Sequence, residues 1–180
     1  MRPLEQAHAY DLDDETAERF AAEMSAVLGF PVRASADLPG AVAASQICVT
    51  ATPSHDWFLA RSWVAAGTFI AAVGADSEDK RELEPALLAA ATIVVDIVAQ
   101  CAAIGELHHA LAAGAIPADR APTELAEIVA GTRPGRTDPD QILILDSTGT
   151  ALQDVAAAAA VYERATAAGI GIVIPLAAAC

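Results

Sequence analysis

Between Gly67 and Asp76 the chain reads Gly-Thr-Phe-Ile-Ala-Ala-Val-Gly-Ala-Asp, and this stretch limits the fold more than any other. Residues 69–73 are apolar without alternation, the pattern of a strand buried on both faces, as in a parallel sheet covered by helices. Gly74 and Ala75 then form a small-residue turn that delivers Asp76, and after it Lys80, to the strand's carboxyl edge. Open α/β sheets bind their ligands at that edge. With no side chain at Gly74, a flat ligand could lie against the backbone while Asp76 reaches over it. The plainer alternative is that Asp76 and Ser77 cap the next helix.

The flanking sequence repeats the strand-then-helix rhythm. Residues 8–12 read as a first strand ending at the acidic cluster Asp11, Asp13, Asp14 and Glu15. Asp13 is the expected N-cap of a helix to Leu28, stopped by Gly29, with Ala17, Phe20, Ala21 and Met24 on its apolar face. A short strand at 31–35, a short helix at 38–45 and a β-branched strand at 46–52 follow, the last stopped by Pro53. Beyond an irregular segment at 53–66 and the central strand come a helix at 84–91, a strand at 92–98 and a helix at 100–114. A short helix at 123–130, a strand at 141–146 and an alanine-rich helix at 151–168 complete the pattern, with 170–175 as an edge strand or docking tail. Such alternation with short links implies α/β architecture, a parallel sheet and right-handed crossovers.

Composition agrees. The chain has 180 residues, enough for one domain, and is 54% hydrophobic but only 4% aromatic, so its core must be built from Ala, Val, Ile and Leu in helix-on-sheet layers. A formal charge of −14 repels phosphate backbones and anionic membrane surfaces, which argues against nucleic acid and membrane as partners. No apolar run reaches the roughly 20 residues that a membrane span needs, and the first residues lack a signal-peptide core. A cytoplasmic location is expected. Cys48, Cys101 and Cys180 have no CxxC or ligand spacing and read as small core residues, with the last at an exposed terminus.

An acid ending the strand that starts a βαβ unit is the ribose-binding element of a dinucleotide fold, and Asp11 stands there. A carboxylate at that point repels a 2′-phosphate and so favours NAD over NADP. The alternative is a solvated acidic turn. No G-x-G-x-x-G occurs, and only ten residues precede Asp11, so the expectation is an incomplete Rossmann-like domain over residues 1–180 whose first strand and glycine loop are missing. His108 and His109 lie beside Glu106, but adjacent helical residues point about 100° apart and cannot easily share one ion, so no metal site is expected.

Several separate pieces resemble the ornithine cyclodeaminase/mu-crystallin family: Tyr10-Asp11, Val49-Thr-Ala-Thr-Pro-Ser54, Val73-Gly-Ala-Asp76 with Lys80 and Glu82-Leu83, Gly105-Glu-Leu-His-His109, and Leu145-Asp-Ser-Thr-Gly149 with Gln153-Asp154. The resemblance covers the family's nucleotide-binding half. It implies that Asp11 holds the adenosine ribose of NAD, that Thr52, Val73 and Gly74 line the cofactor, that Lys80 and Ser147 complete the nicotinamide side, and that Asp76 is the catalytic acid/base. The implied reaction takes a hydride from L-ornithine onto NAD, closes the side-chain amine on the resulting iminium, expels ammonia and returns the hydride to give L-proline. An acid at Asp76 leans toward this deaminating branch over ketimine reduction, while alanine dehydrogenases remain an alternative. A third reading is a non-catalytic remnant whose open sheet edge binds a partner. In the family, a substrate and dimerisation domain precedes the nucleotide domain. The resemblance therefore implies a fragment, inactive alone, of a homodimeric enzyme.

Overall fold

The computed structural model describes residues 3–117, 119–120 and 122–174. It divides the chain into two compact units, Met1–Thr148 and Gly149–Cys180.

In the first unit every strand pairing is parallel. Strands β1 (Ala7–Ala9) and β2 (Val32–Ala34) form one two-stranded sheet. Helix α1 (Asp14–Leu28) links them as the sequence predicts. The Asp13 carboxylate accepts the Glu15 N–H at 3.2 Å, and Gly29 closes the helix at φ 73°, where a Cβ would be strained. Ala17 and Ala21 are the residues α1 buries, and the Ser25 hydroxyl accepts the Val32 N–H at 2.9 Å, which ties the helix to the start of β2.

The second sheet holds five strands in the order β3-β4-β7-β5-β6. These are β3 (Ile47–Thr50), β4 (Phe69–Ala72), β5 (Thr92–Val95), β6 (Thr123–Glu124) and β7 (Leu143–Asp146). A doubly wound dinucleotide sheet places its first strand between the second and the fourth. No described strand pairs with both β1 and β3, so the described strands form two separate sheets where the sequence suggests one. β7, distant in sequence, inserts between β4 and β5, so Thr50, Ala72, Asp146 and Val95 stand at one level across four carboxyl ends.

Helix α2 (Leu38–Ala43) leads into β3, and α3 (Pro85–Ala90) precedes β5. Ile70, Leu87, Val95, Cys101 and Ile144 have no exposed surface at the centre of the core, where Leu83, Leu88 and Leu107 also pack. Burying one such aliphatic side chain contributes about 1.5–3 kcal/mol.

Three segments differ from the sequence reading. β5 stops at Val95, and Val98 instead starts α4 (Val98–Ile104), its N–H capped by Glu124 Oε1 at 2.9 Å. The single helix expected at 100–114 is two, α4 and α5 (Glu106–Ala112), because Gly105 is extended and the Asp146 carboxylate fills the break. At 123–130 the first two residues pair as β6 before α6 (Leu125–Val129) begins. Cys48 and Cys101 are buried free thiols whose pKa burial raises, and Cys180 lies outside the described residues.

The second unit is α7 (Ala151–Ala168), opened by a Thr150–Gln153 capping box and closed by Gly169 at φ 66°. Residues 170–174 form no strand, and Pro175 lies outside the described residues.

Candidate functional site

The carboxyl ends of β3, β4 and β7 are sewn together by backbone bonds. The Val73 N–H donates to the Thr50 carbonyl at 2.9 Å, and the Ser147 N–H to the Ala72 carbonyl at 2.9 Å. Thr52, Val73, Gly74 and Ser147 therefore share one edge, with Asp76 and Lys80 on the loop that leaves β4. Val73 is exposed there, an apolar side chain at the rim of the edge. The Ser147 hydroxyl donates to Asp96 Oδ2 at 2.7 Å, which binds the end of β7 to the residue after β5.

Thr52 and Gly74 are joined by a residue to which the sequence reading gave no role of its own. The buried Glu82 carboxylate accepts the Thr52 N–H at 2.5 Å through one oxygen and the Gly74 N–H at 3.1 Å through the other. A Cβ on Gly74 would strike that carboxylate and come within 2.6 Å of the Thr52 carbonyl oxygen. Within the protein, the close approach that requires glycine here is to Glu82 and the Thr52 carbonyl.

Asp76 and Lys80 form an ion pair at 2.7 Å, their side chains 58% and 26% exposed. The Lys80 hydrogen bond, and then its charge, hold the Asp76 carboxyl below the usual carboxylate range, so near neutral pH it is a base and an anchor for positive charge. The lysine is positioned from behind. His109 Nε2 lies 2.8 Å from the Lys80 carbonyl, which makes that nitrogen the protonated one, and burial lowers the imidazole's pKa. His108 turns its Nδ1 to the Ala102 carbonyl at 3.2 Å. Each histidine thus serves a backbone carbonyl, and no group of three potential metal ligands occurs among the described residues. Arg81 reaches Asp56 at 3.0 Å and the His55 carbonyl at 2.9 Å, fastening the same loop from its other side.

Asp11 lies apart from this cluster, just after β1 in the two-stranded sheet. It is exposed, and its Oδ1 accepts the Asp13 N–H at 2.9 Å in a local turn. The chain thus offers a carboxylate suited to a ribose and, on the larger sheet, a glycine-lined edge with an acid–lysine pair. It has no glycine fingerprint for a pyrophosphate. A parallel sheet with these groups at its carboxyl ends has the form of a dinucleotide-binding domain.

The chain belongs to the Ornithine cyclodeaminase/mu-crystallin family, whose model matches residues 1–169. It is 40% identical over 171 residues to a putative dehydrogenase of Rhizobium meliloti, covering 95% of this chain and 52% of that protein. Among solved structures it resembles the iminosuccinate reductase of Paracoccus denitrificans in complex with NAD+, at 40% identity and TM-score 0.86 over 96% of this chain and 52% of that one. It also resembles the Thermococcus litoralis Δ1-pyrroline-2-carboxylate reductase in complex with NADH and L-proline, at 31% identity and TM-score 0.89 over 94% and 53%. The chain spans about half the length of these relatives.

Proposed function

We propose that this chain is the NAD-binding portion of an enzyme that moves a hydride to or from the nitrogen-bearing carbon of a small amino acid or its imine. The observation that carries the proposal is the Asp76–Lys80 pair at the carboxyl edge of β4, an ionised base held where a ligand of an open α/β sheet lies. The NAD+ and NADH named with the solved relatives support the cofactor, and Asp11 supports NAD over NADP.

The bound cofactor supplies the hydride acceptor. Asp76, ionised at the start, accepts the proton that the substrate ammonium gives up; the free amine can then lose hydride to leave an iminium, with Asp76 as the neutral acid beside it. Lys80 keeps that carboxylate ionised and oriented. Thr52, Val73, Gly74 and Ser147 form the floor beneath, with Asp11 as the ribose acceptor.

Two outcomes diverge after this shared step. An acid at Asp76 that can return its proton to a leaving amine favours cyclodeamination of L-ornithine to L-proline and ammonia. The 40% identity to a putative dehydrogenase and to a reductase favours net oxidation or reduction, as of alanine or an imino acid. One experiment separates them. The chain is joined to the part of the Paracoccus denitrificans reductase that it does not cover, and incubated with NAD and L-ornithine or L-alanine. Proline and ammonia without net NADH indicate cyclodeamination, whereas accumulating NADH indicates a dehydrogenase. Failure of both the joined protein and the chain itself to bind NAD would refute the proposal.

A further inference from the structure

Glu82, Glu106 and Asp146 are all fully buried, and the ion pairs among the described residues include none of them. Each instead grips two backbone amides, and Asp146 and Glu106 each grip the amide of the next acid in the series. Asp146, at the end of β7, accepts the Glu106 N–H at 3.2 Å and the Leu107 N–H at 2.9 Å. Glu106 accepts the Glu82 N–H at 2.6 Å and the Leu83 N–H at 3.2 Å. Glu82 accepts the Thr52 and Gly74 N–H groups, at the ends of β3 and β4. Glycines make room at both ends of the series, since a Cβ on Gly105 would lie 2.7 Å and 2.8 Å from the two Asp146 oxygens, as one on Gly74 would strike Glu82.

A buried carboxylate without a cation is costly, and two N–H groups offset only part of that cost. Three in series, each indexed to the next by the backbone, form a rigid spacer. Its last member sets the separation of two strands where the sheet's ligand edge begins. An apolar side chain could fill the volume but could not hold two amides at a fixed spacing.

We propose that Glu82 is a positioning residue of the candidate cofactor cleft: its carboxylate locks the Thr52 and Gly74 backbones at the spacing that NAD requires, and Glu106 and Asp146 hold Glu82 in register. This rests on the proposed NAD cleft, so the test reads the lock and the cofactor separately. In the unmodified 180-residue chain, through-hydrogen-bond NMR coupling connects the Thr52 and Gly74 amide nitrogens to the Glu82 carboxyl carbon. Absence of both couplings overturns the proposal without any variant having to fold.

Glu82→Gln replaces one acceptor oxygen by an NH2 donor, so one of the two amides loses its partner. Hydrogen exchange at Thr52 or Gly74 is expected to rise at least about tenfold, and NAD affinity, from amide shifts during titration, to fall about tenfold. Ile93→Val, a core change in β5, controls for stability and should alter neither. Equal exchange in Glu82→Gln and the unmodified chain overturns the lock. Faster exchange with unchanged NAD affinity confines Glu82 to the fold and overturns its role in the cleft. Failure of both the unmodified chain and the joined protein to bind NAD removes the cleft reading and the cofactor half of this inference together, while the couplings still decide the lock.

Discussion

Replacing Glu106 by glutamine should flatten the alkaline side of this protein's stability curve. Burial raises the Glu106 carboxyl from its ordinary 4.5 to about 8, against the opposing pull of the Glu82 and Leu83 N–H groups, and the neighbouring Asp146 and Glu82 add to the rise. A raised folded-state pKa means that the protonated form is favoured by folding. The associated stability is complete below the unfolded value and is lost as pH climbs through the folded one. From 4.5 to about 8, at ~1.4 kcal/mol per pH unit, the loss approaches roughly 5 kcal/mol, a large part of a typical domain's 5–15. Asp146 is raised from 3.8 to about 6 by the same cause, so its share, on the order of 3 kcal/mol, is spent before pH exceeds about 6. Glutamine cannot ionise at any pH, but its NH2 takes the place of one accepting oxygen, so the variant gives up one of the Glu82 and Leu83 N–H bonds, about 1–3 kcal/mol, at every pH. Urea unfolding followed by Trp57 and Trp63 fluorescence between about pH 5 and pH 9 measures the effect. The unmodified chain should weaken steadily to about pH 8. Glu106→Gln should fall below it by about 1–3 kcal/mol near pH 5, level off above about pH 6, and exceed it at about pH 9 by about 2–4 kcal/mol. A variant no more stable than the parent at about pH 9 would refute the assignment of a burial-raised acid to this position.

Other predictions concern the site and its supports. Asp11→Ala should narrow a preference for NAD over NADP, read from paired cofactor titrations; equal affinities in the unmodified chain would count against ribose recognition at Asp11. In the joined protein, Asp76→Asn should preserve NAD binding and lower turnover by roughly 10² or more, the scale of a lost acid/base group, and full turnover would take Asp76 out of the chemistry. Gly105→Ala sets a methyl against the Asp146 carboxylate and should destabilise by about 1–3 kcal/mol, visible as a lower urea midpoint, unless the break between α4 and α5 tolerates more room than 2.7 Å.

The parts of the fold legible in the sequence are those decided locally. The limits of α1 and α7 could be read because Asp13, Gly29 and Gly169 act within a turn of the residues they cap. β4 and β7 were marked by apolar runs, but nothing local says that β7 lies between β4 and β5, because that order depends on pairings across more than 40 positions. The division of α4 from α5 was hidden for the same reason: Gly105 is tolerable inside a helix, and the carboxylate that occupies the gap comes from Asp146. Of the site, Asp76 and Lys80 form a local i,i+4 pair and Thr52 ends an apolar strand, so all three were visible. Glu82 stood within the quoted motif without a role, Glu106 was weighed as a metal neighbour, and Asp146 was read as the end of a strand. They share no local signal: Asp146 closes an apolar run, Glu82 follows Lys80-Arg81, and Glu106 lies just before His108-His109, and only the fold brings the three together.

The series of buried acids also bears on how the molecule reaches its fold. Its bonds span sequence separations of 8, 23, 24, 30, 39 and 40 residues, so all but one require large loops to close first. Such contacts belong to the late side of the folding barrier, and weakening them should accelerate unfolding far more than it slows refolding. On that order the spacing of β3 and β4 at the ligand edge should form late and be released early, which the folding and unfolding rates of Glu82→Gln would measure. Kinetic lifetime and readiness to bind are governed by the same few amide bonds.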